Sequence, residues 1–133
     1  MTERKISYAY KKIESCKKEG YLLEALIRNY HLNIHLIKYI LESSDSTFLI
    51  KGKKIKAIVY EFFEQISMNP GLRSLINKKT LKIVKLWLEK MEVFYKKLKL
   101  EQPSNVKELQ HEAEKILGIL NISANKLFVK NKG

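Results

Sequence analysis

The apolar residues of this chain recur at the spacing of an α-helix almost from end to end, and few residues interrupt them. Such spacing gives each helix one stripe to bury against its neighbours. Ile6, Ala9, Tyr10, Ile13 and Cys16 stand at i, i+3, i+4, i+7 and i+10, which predicts a first helix with Thr2 as N-cap and Gly20 as its stop. A second helix is expected from Tyr21 to about Leu41, with Leu23, Leu26, Ile27, Tyr30, Ile34, Ile37 and Leu41 on its buried side. Ser43-Ser44-Asp45-Ser46 then supplies turn chemistry, and Phe48-Leu49-Ile50 is too short to assign. Ile55, Ile58, Val59, Phe62, Phe63 and Ile66 predict a third helix from about Lys53 to Ser67. Asn69-Pro70-Gly71 breaks it, and Leu72, Leu75 and Ile76 fit a short helical turn. Leu81, Val84, Trp87, Leu88, Met91, Phe94 and Leu98 mark a fourth, from about Lys79 to Leu98. After Gln102-Pro103-Ser104, a fifth carries Val106, Leu109, Ala113, Ile116, Leu117, Leu120, Ala124 and Leu127, with Gly118 as a place for a kink. No segment sustains the alternation of a strand. The expected fold is all-α, an antiparallel four- to five-helix bundle.

Length and composition set the remaining bounds. A chain of 133 residues makes one domain, 1–133, with a single core. Its 45% apolar and 30% charged residues place it among globular chains. Cys16 is the only cysteine, which excludes an internal disulfide and a cysteine-only zinc site and fits a reducing cytoplasm. Met1-Thr2-Glu3-Arg4-Lys5 does not open a secretory signal, and no apolar run is long enough to cross a bilayer. The expectation is a cytoplasmic domain without a membrane partner.

A net charge of +12 points to a polyanionic partner. Of the 26 cations 23 are Lys, the arginines being Arg4, Arg28 and Arg73, and Asp45 is the one Asp. Base-edge readout and bidentate phosphate recognition favour Arg, so this composition fits sequence-tolerant phosphate contact. Two clusters supply the surface: Lys51, Lys53, Lys54 and Lys56 before the third helix, and Lys78, Lys79, Lys82 and Lys85 on the fourth, which also carries Lys96, Lys97 and Lys99. An ordinary solvated face, in a sequence shaped by an AT-rich genome, explains the same lysines equally well. Trp87, Phe94 and Tyr95 offer rings for base stacking, although the spacing of Trp87 and Phe94 favours the core.

Several catalytic machineries are missing. The sequence has no Gly-rich phosphate loop, no G-x-S-x-G elbow and no C-x-x-C, and one Asp leaves little for a two-metal site. Glu61 and Glu64 flank Phe62 and Phe63, the pattern of a solvated edge beside core aromatics. His31 and His35, four apart on one helix face, have metal-chelating spacing, and His111 follows Glu108 in an E-x-x-H arrangement. A His31/His35/His111 site is the one metal centre worth weighing, against surface or packing histidines. No cofactor is implied. Arg28 precedes His35 by seven residues, and an Arg can hold a phosphate while His31 or His35 moves a proton on a ribose hydroxyl. Seven helical residues span about 10 Å, so joint action on one phosphate needs a kink or a second subunit.

Two stretches together resemble small bacterial HEPN-like proteins. Glu19-Gly20-Tyr21-Leu22-Leu23-Glu24-Ala25 is similar to their "helix, E-G-Y-x-x-E-A, helix" opening, and Leu86-Trp87-Leu88-Glu89-Lys90 with the helix from Glu108 to Leu120 is similar to their later half. The resemblance implies a helical bundle, usually a dimer, among ribonucleases, toxins, defence proteins and their non-catalytic relatives. The family's R-N-x-x-x-H motif is not kept: Met91 stands at the Arg position and Lys96 at the His position. The leading expectation is therefore a non-catalytic HEPN-like homodimer that contacts RNA or an acidic protein through its lysines, in a defence or toxin–antitoxin context. Two alternatives stand beside it: a metal-independent ribonuclease using Arg28 with His31 or His35, and a purely structural or regulatory interaction bundle.

Overall fold

A computed structural model describes residues 3–43, 50–98 and 105–132. These residues form α1 (Glu3–Lys18), α2 (Leu22–Glu42), α3 (Ile55–Met68), α4 (Pro70–Arg73), α5 (Lys78–Leu98) and α6 (Val106–Lys132), with no strand among them. The five long helices are those the periodicity predicts, and α4 is the short helical turn. Thr2, Ser44-Asp45-Ser46, Phe48-Leu49, Lys99 and Gln102-Pro103-Ser104 lie outside the described residues. The last helix runs on past Leu127 to Lys132, and it passes through Gly118 without a break.

Local chemistry sets the boundaries. Gly20 has φ of +83°, a left-handed conformation that side chains disfavour. There the Gly20 N–H donates to Lys17 O at 3.1 Å and the Tyr21 N–H to Cys16 O at 2.8 Å, closing the end of α1. The Asn69 side chain accepts from the N–H groups of Gly71 (2.9 Å) and Leu72 (3.3 Å), capping α4 with Pro70 in its first turn. Asn77 Oδ1 accepts from the Thr80 N–H at 2.8 Å and so starts α5.

Packing centres on α2. Its most extensive partner is α6; α1 and α3 also lie against it, and α5 packs on α6. Ala25, Leu26, Asn29, Leu32, Asn33, Ile34, Leu36, Ile37, Ile40 and Leu41 are all buried, an arc of more than half the helix circumference. The sequence periodicity predicts a single stripe there, and the structure corrects it. Leu23 is exposed, Ile27 and Tyr30 are half-buried, and two asparagines lie inside. The reason is that α2 has neighbours on several sides, so residues outside the main apolar stripe are covered too. Agreement is closer for α5 and α6, which bury Val84, Trp87, Met91 and Phe94, and Leu109, Ala113, Ile116, Leu117, Leu120, Ala124 and Leu127.

Polar groups fix how these helices meet. Asn33 Nδ2 donates to the Ala113 carbonyl at 3.3 Å, joining α2 to α6. Trp87 Nε1 donates to the Leu109 carbonyl at 3.3 Å, joining α5 to α6. Asn29 is fully buried, and neither of its amide atoms has a hydrogen-bond partner among the described residues.

Leu26 and Phe62 have no exposed surface. Leu26→Asp or Phe62→Asp would place an unpaired carboxylate in the core, at a cost of several kcal/mol against a typical total of about 5–15 kcal/mol. Each variant should lose its cooperative thermal transition by circular dichroism.

Candidate nucleic-acid interface

The lysines of α5 lie where helix geometry separates them from the core. Lys78, Lys82 and Lys85 stand at i, i+4 and i+7 on one face, Lys79 stands beside them, and all four are exposed. No carboxylate occurs in the sequence between Glu64 and Glu89, so Arg73, Lys78, Lys79 and Lys82 have no acidic residue within four positions, while Lys85 stands four before Glu89. Arg73 donates to the Ser67 carbonyl instead. Neither α3 nor α5 has an acidic residue in its first turn, although Lys54 stands at the N-cap of α3 and α5 opens with Lys78 and Lys79. Cations at a helix N-terminus face the positive end of the helix dipole, a position that suits anions. Lys51, Lys53 and Lys54 are exposed in the turn that leads into α3.

One lysine of each cluster, Lys56 and Lys85, lines a cleft between α3 and α5. This cavity, of about 610 Å³, is lined by apolar and aromatic side chains, among them Val59, Phe63, Leu88, Tyr30 and Tyr95. Lys56 enters it from α3 and Lys85 and Lys96 from α5, together with Glu89 and Glu92. Tyr60 also lines it and is 65% exposed. Tyr30 and Tyr95 pack ring against ring at 5.2 Å, and Tyr30 in turn touches Trp87 at 5.9 Å. Burial pushes the Tyr95 phenol up to about 12, with Tyr30 adding to the shift, and burial followed by the Glu92 charge raises Tyr30. Both phenols are therefore neutral at physiological pH.

A second cavity, of about 750 Å³, lies between α1 and α6 and has a different character. Glu14, Lys17 and Glu114 line it and leave one net negative charge: Lys17 pairs with Glu114 and, at 3.3 Å, with Glu14. The Glu114 hydrogen bond is the main cause of the raised Lys17 pKa.

Arg28, His31 and His35 share the narrow exposed stripe of α2. The Arg28 guanidinium is engaged by Glu24, with Nε and one terminal nitrogen at 3.1 and 3.0 Å from the same carboxylate oxygen. Neither cavity is lined by Arg28, His31 or His35. His111 is exposed on α6, and among the described residues no three His, Cys, Asp or Glu side chains come together as a metal site. The structure thus does not assemble His31, His35 and His111. Glu61 accepts from Gln65 at 2.8 Å beside the aromatic pair Phe62 and Phe63, and Glu64 is exposed.

Of the two residues that the HEPN-like resemblance sets at its R-N-x-x-x-H positions, Met91 is fully buried in the core and Lys96 is exposed, 3.6 Å from Glu92. A buried thioether offers no charge to a phosphate, and a lysine paired to a carboxylate is a poor base. No family model, curated protein or solved structure matches the chain.

Sequence reasoning finds the lysines but misses the cleft between their clusters. The α2 periodicity places Tyr30 in the core stripe, and Tyr60 falls off the apolar stripe of α3, where an exposed ring is the available signal. Trp87 and Phe94 are core residues, as their spacing indicates.

Two ionisable groups give measurable consequences. The Tyr95 hydroxyl is closed off from solvent with no hydrogen-bond partner among the described residues, so Tyr95→Phe should hold or raise stability, by up to about 1 kcal/mol. Thermal melts check this. The His35 imidazole lies below its ordinary value of 6.5 because of partial burial, then the nearby Lys38 and His31 charges. The folded chain thus takes up this proton less readily than the unfolded one. The His35 contribution to stability should be complete at neutral pH and shrink as pH falls through 6.5 toward the lower folded value. His35→Gln should flatten that part of the melting-temperature profile.

Proposed function

We propose that this chain is a non-catalytic binding module that holds single-stranded RNA, in a sequence-tolerant way, along the lysine face of α5. The observation that carries this reading is the exposed row of Lys78, Lys79, Lys82 and Lys85 along the first half of α5, whose first turn holds no acidic residue. Lys78 and Lys79, in the first turn of α5, oppose the helix dipole without an acidic residue there to offset them, which works against the stability of the folded chain. A phosphate backbone relieves that repulsion and releases its own counterions. Lysine's compact charge, without the fork of Arg, suits contact with any sequence.

The HEPN-like reading of the fold belongs to the same proposal. Its support is the Gly20 turn between α1 and α2, the buried Trp87 on α5, and the all-helical architecture. A non-catalytic member fits the buried Met91 and the Glu92-paired Lys96 better than a nuclease does. The ribonuclease alternative lacks a pocket, since Arg28, His31 and His35 lie on the exposed side of α2 and line neither cavity.

A protein partner is the second reading, favoured by one observation. Ile83, Leu86 and Val93 form an exposed apolar stripe on another side of α5, with Lys79, Lys90 and Lys97 along it. Charge complementarity suits an acidic amphipathic helix there.

Titration of the purified chain with a single-stranded RNA oligomer at increasing salt tests the proposal. Affinity should fall steeply with salt, and replacing Lys78, Lys79, Lys82 and Lys85 by Gln should weaken binding. The log–log slope should become shallower by about 0.7 for each phosphate that is no longer neutralised. The same variant should melt near the wild type, since relief of Lys78 and Lys79 at the positive end of the helix dipole offsets the lost i,i+4 attraction of Lys85 and Glu89. Salt-independent affinity would reject the lysine face. RNA cleavage abolished by His35→Ala with unchanged melting would establish the ribonuclease instead.

A further inference from the structure

We propose that the α3–α5 cleft seats one unpaired nucleobase, with the attached phosphate on the lysines of its rim. The inference deepens the RNA-binding reading above and rests on it for the source of the base. Three observations converge on the cleft. Its volume of about 610 Å³ lies in the range of pockets that enclose small ligands. Its lining is largely ring and aliphatic surface from Tyr30, Val59, Phe63, Leu88 and Tyr95, with Tyr60 two-thirds exposed. Lys56, Lys85 and Lys96 reach it from both helices.

The charge of the rim argues for a base and against a bare phosphate. Glu89 and Glu92 stand among the three lysines, and Glu92 already pairs with Lys96 at 3.6 Å. The net excess is a single positive charge, enough to orient one phosphate but not to hold a polyanion. What this cleft offers beyond the open lysine face is π-surface, and stacking on aromatic rings tolerates every base. The approach is also built. Lys78, Lys82 and Lys85 share one face of α5, spanning about 10 Å of axis, and Lys85 is both the end of that row and part of the cleft. A strand following the row arrives at the aromatic pocket. The same ligand chemistry, a planar base joined to a phosphate, also occurs in a free nucleotide.

Three ligands separate these sources. Wild-type protein is titrated with an oligoadenylate, with an abasic ribose-phosphate oligomer of equal length, and with adenosine monophosphate. The variants are Tyr60→Ser, which removes an exposed ring, and Ile55→Trp, which fills the cleft from a residue already 37% exposed. Both sites are partly in solvent, so melting temperatures should stay near the wild-type value. Should Ile55→Trp fold poorly, Tyr60→Ser alone decides. Each variant should lose about fivefold to a hundredfold in oligoadenylate affinity, the worth of one stacked base. Abasic-oligomer affinity and its salt slope should not change. If both variants bind oligoadenylate as the wild type does, while the quadruple Lys→Gln variant does not, the cleft proposal falls and the lysine face stands. If the wild type binds neither oligomer but takes up adenosine monophosphate in a Tyr60-dependent way, the cleft stands and serves free nucleotides, and the lysine face falls. Binding of none of the three overturns both.

Discussion

The burial of α2 is the constraint on which the rest of the molecule depends. A helix covered over more than half its circumference needs apolar or satisfied side chains on several faces, and α2 supplies eight buried apolar residues and two asparagines. The bond from Asn33 to the Ala113 carbonyl fixes its register against α6, and Trp87 to the Leu109 carbonyl fixes α5 against the same helix. Two side-chain donors thus tie three helices together at α6. Hydrophobic contact alone lacks this directionality.

Once α2 is enclosed, little of it remains for chemistry. Its exposed stripe holds Glu24, Arg28, His31 and His35, and the Arg is committed to the Glu. The proposed binding surface lies farther out, on α3 and α5, whose lysines face solvent. The helix starts there carry cations with no acidic neighbour in their first turns. Such an arrangement opposes the dipole, and a polyanionic partner gives it a physical rationale. Across the molecule, the α1–α6 cavity has its charges paired internally, so the two concave surfaces differ in what they ask of a ligand.

Tyr30 links the enclosed core to that outer surface. It lines the cleft, touches Tyr95 and Trp87, and rises from the half-buried edge of α2. The ring cluster therefore runs from the Trp87 that holds α6 to the wall of the cleft. Burial keeps both Tyr30 and Tyr95 protonated, so this wall stays neutral and the charge of the cleft resides in its lysines and glutamates.

The sequence by itself determined the helices, their turns and the lysine clusters, because each depends on neighbours close in the chain. The 3.6-residue period marked the five long helices, Gly20 and Asn69-Pro70 marked turns, and Leu109 to Leu127 traced the buried side of α6 correctly. Tertiary structure alone decided which helix would be central. Asn29 and Asn33 carry no local sign of burial, and Leu23 no sign of exposure, since both depend on how many helices surround α2. The α3–α5 cleft is of the same kind. Lys56 and Lys85 are 29 positions apart in the chain and line one cleft only because α3 and α5 lie on either side of Tyr30, a proximity that no periodicity encodes.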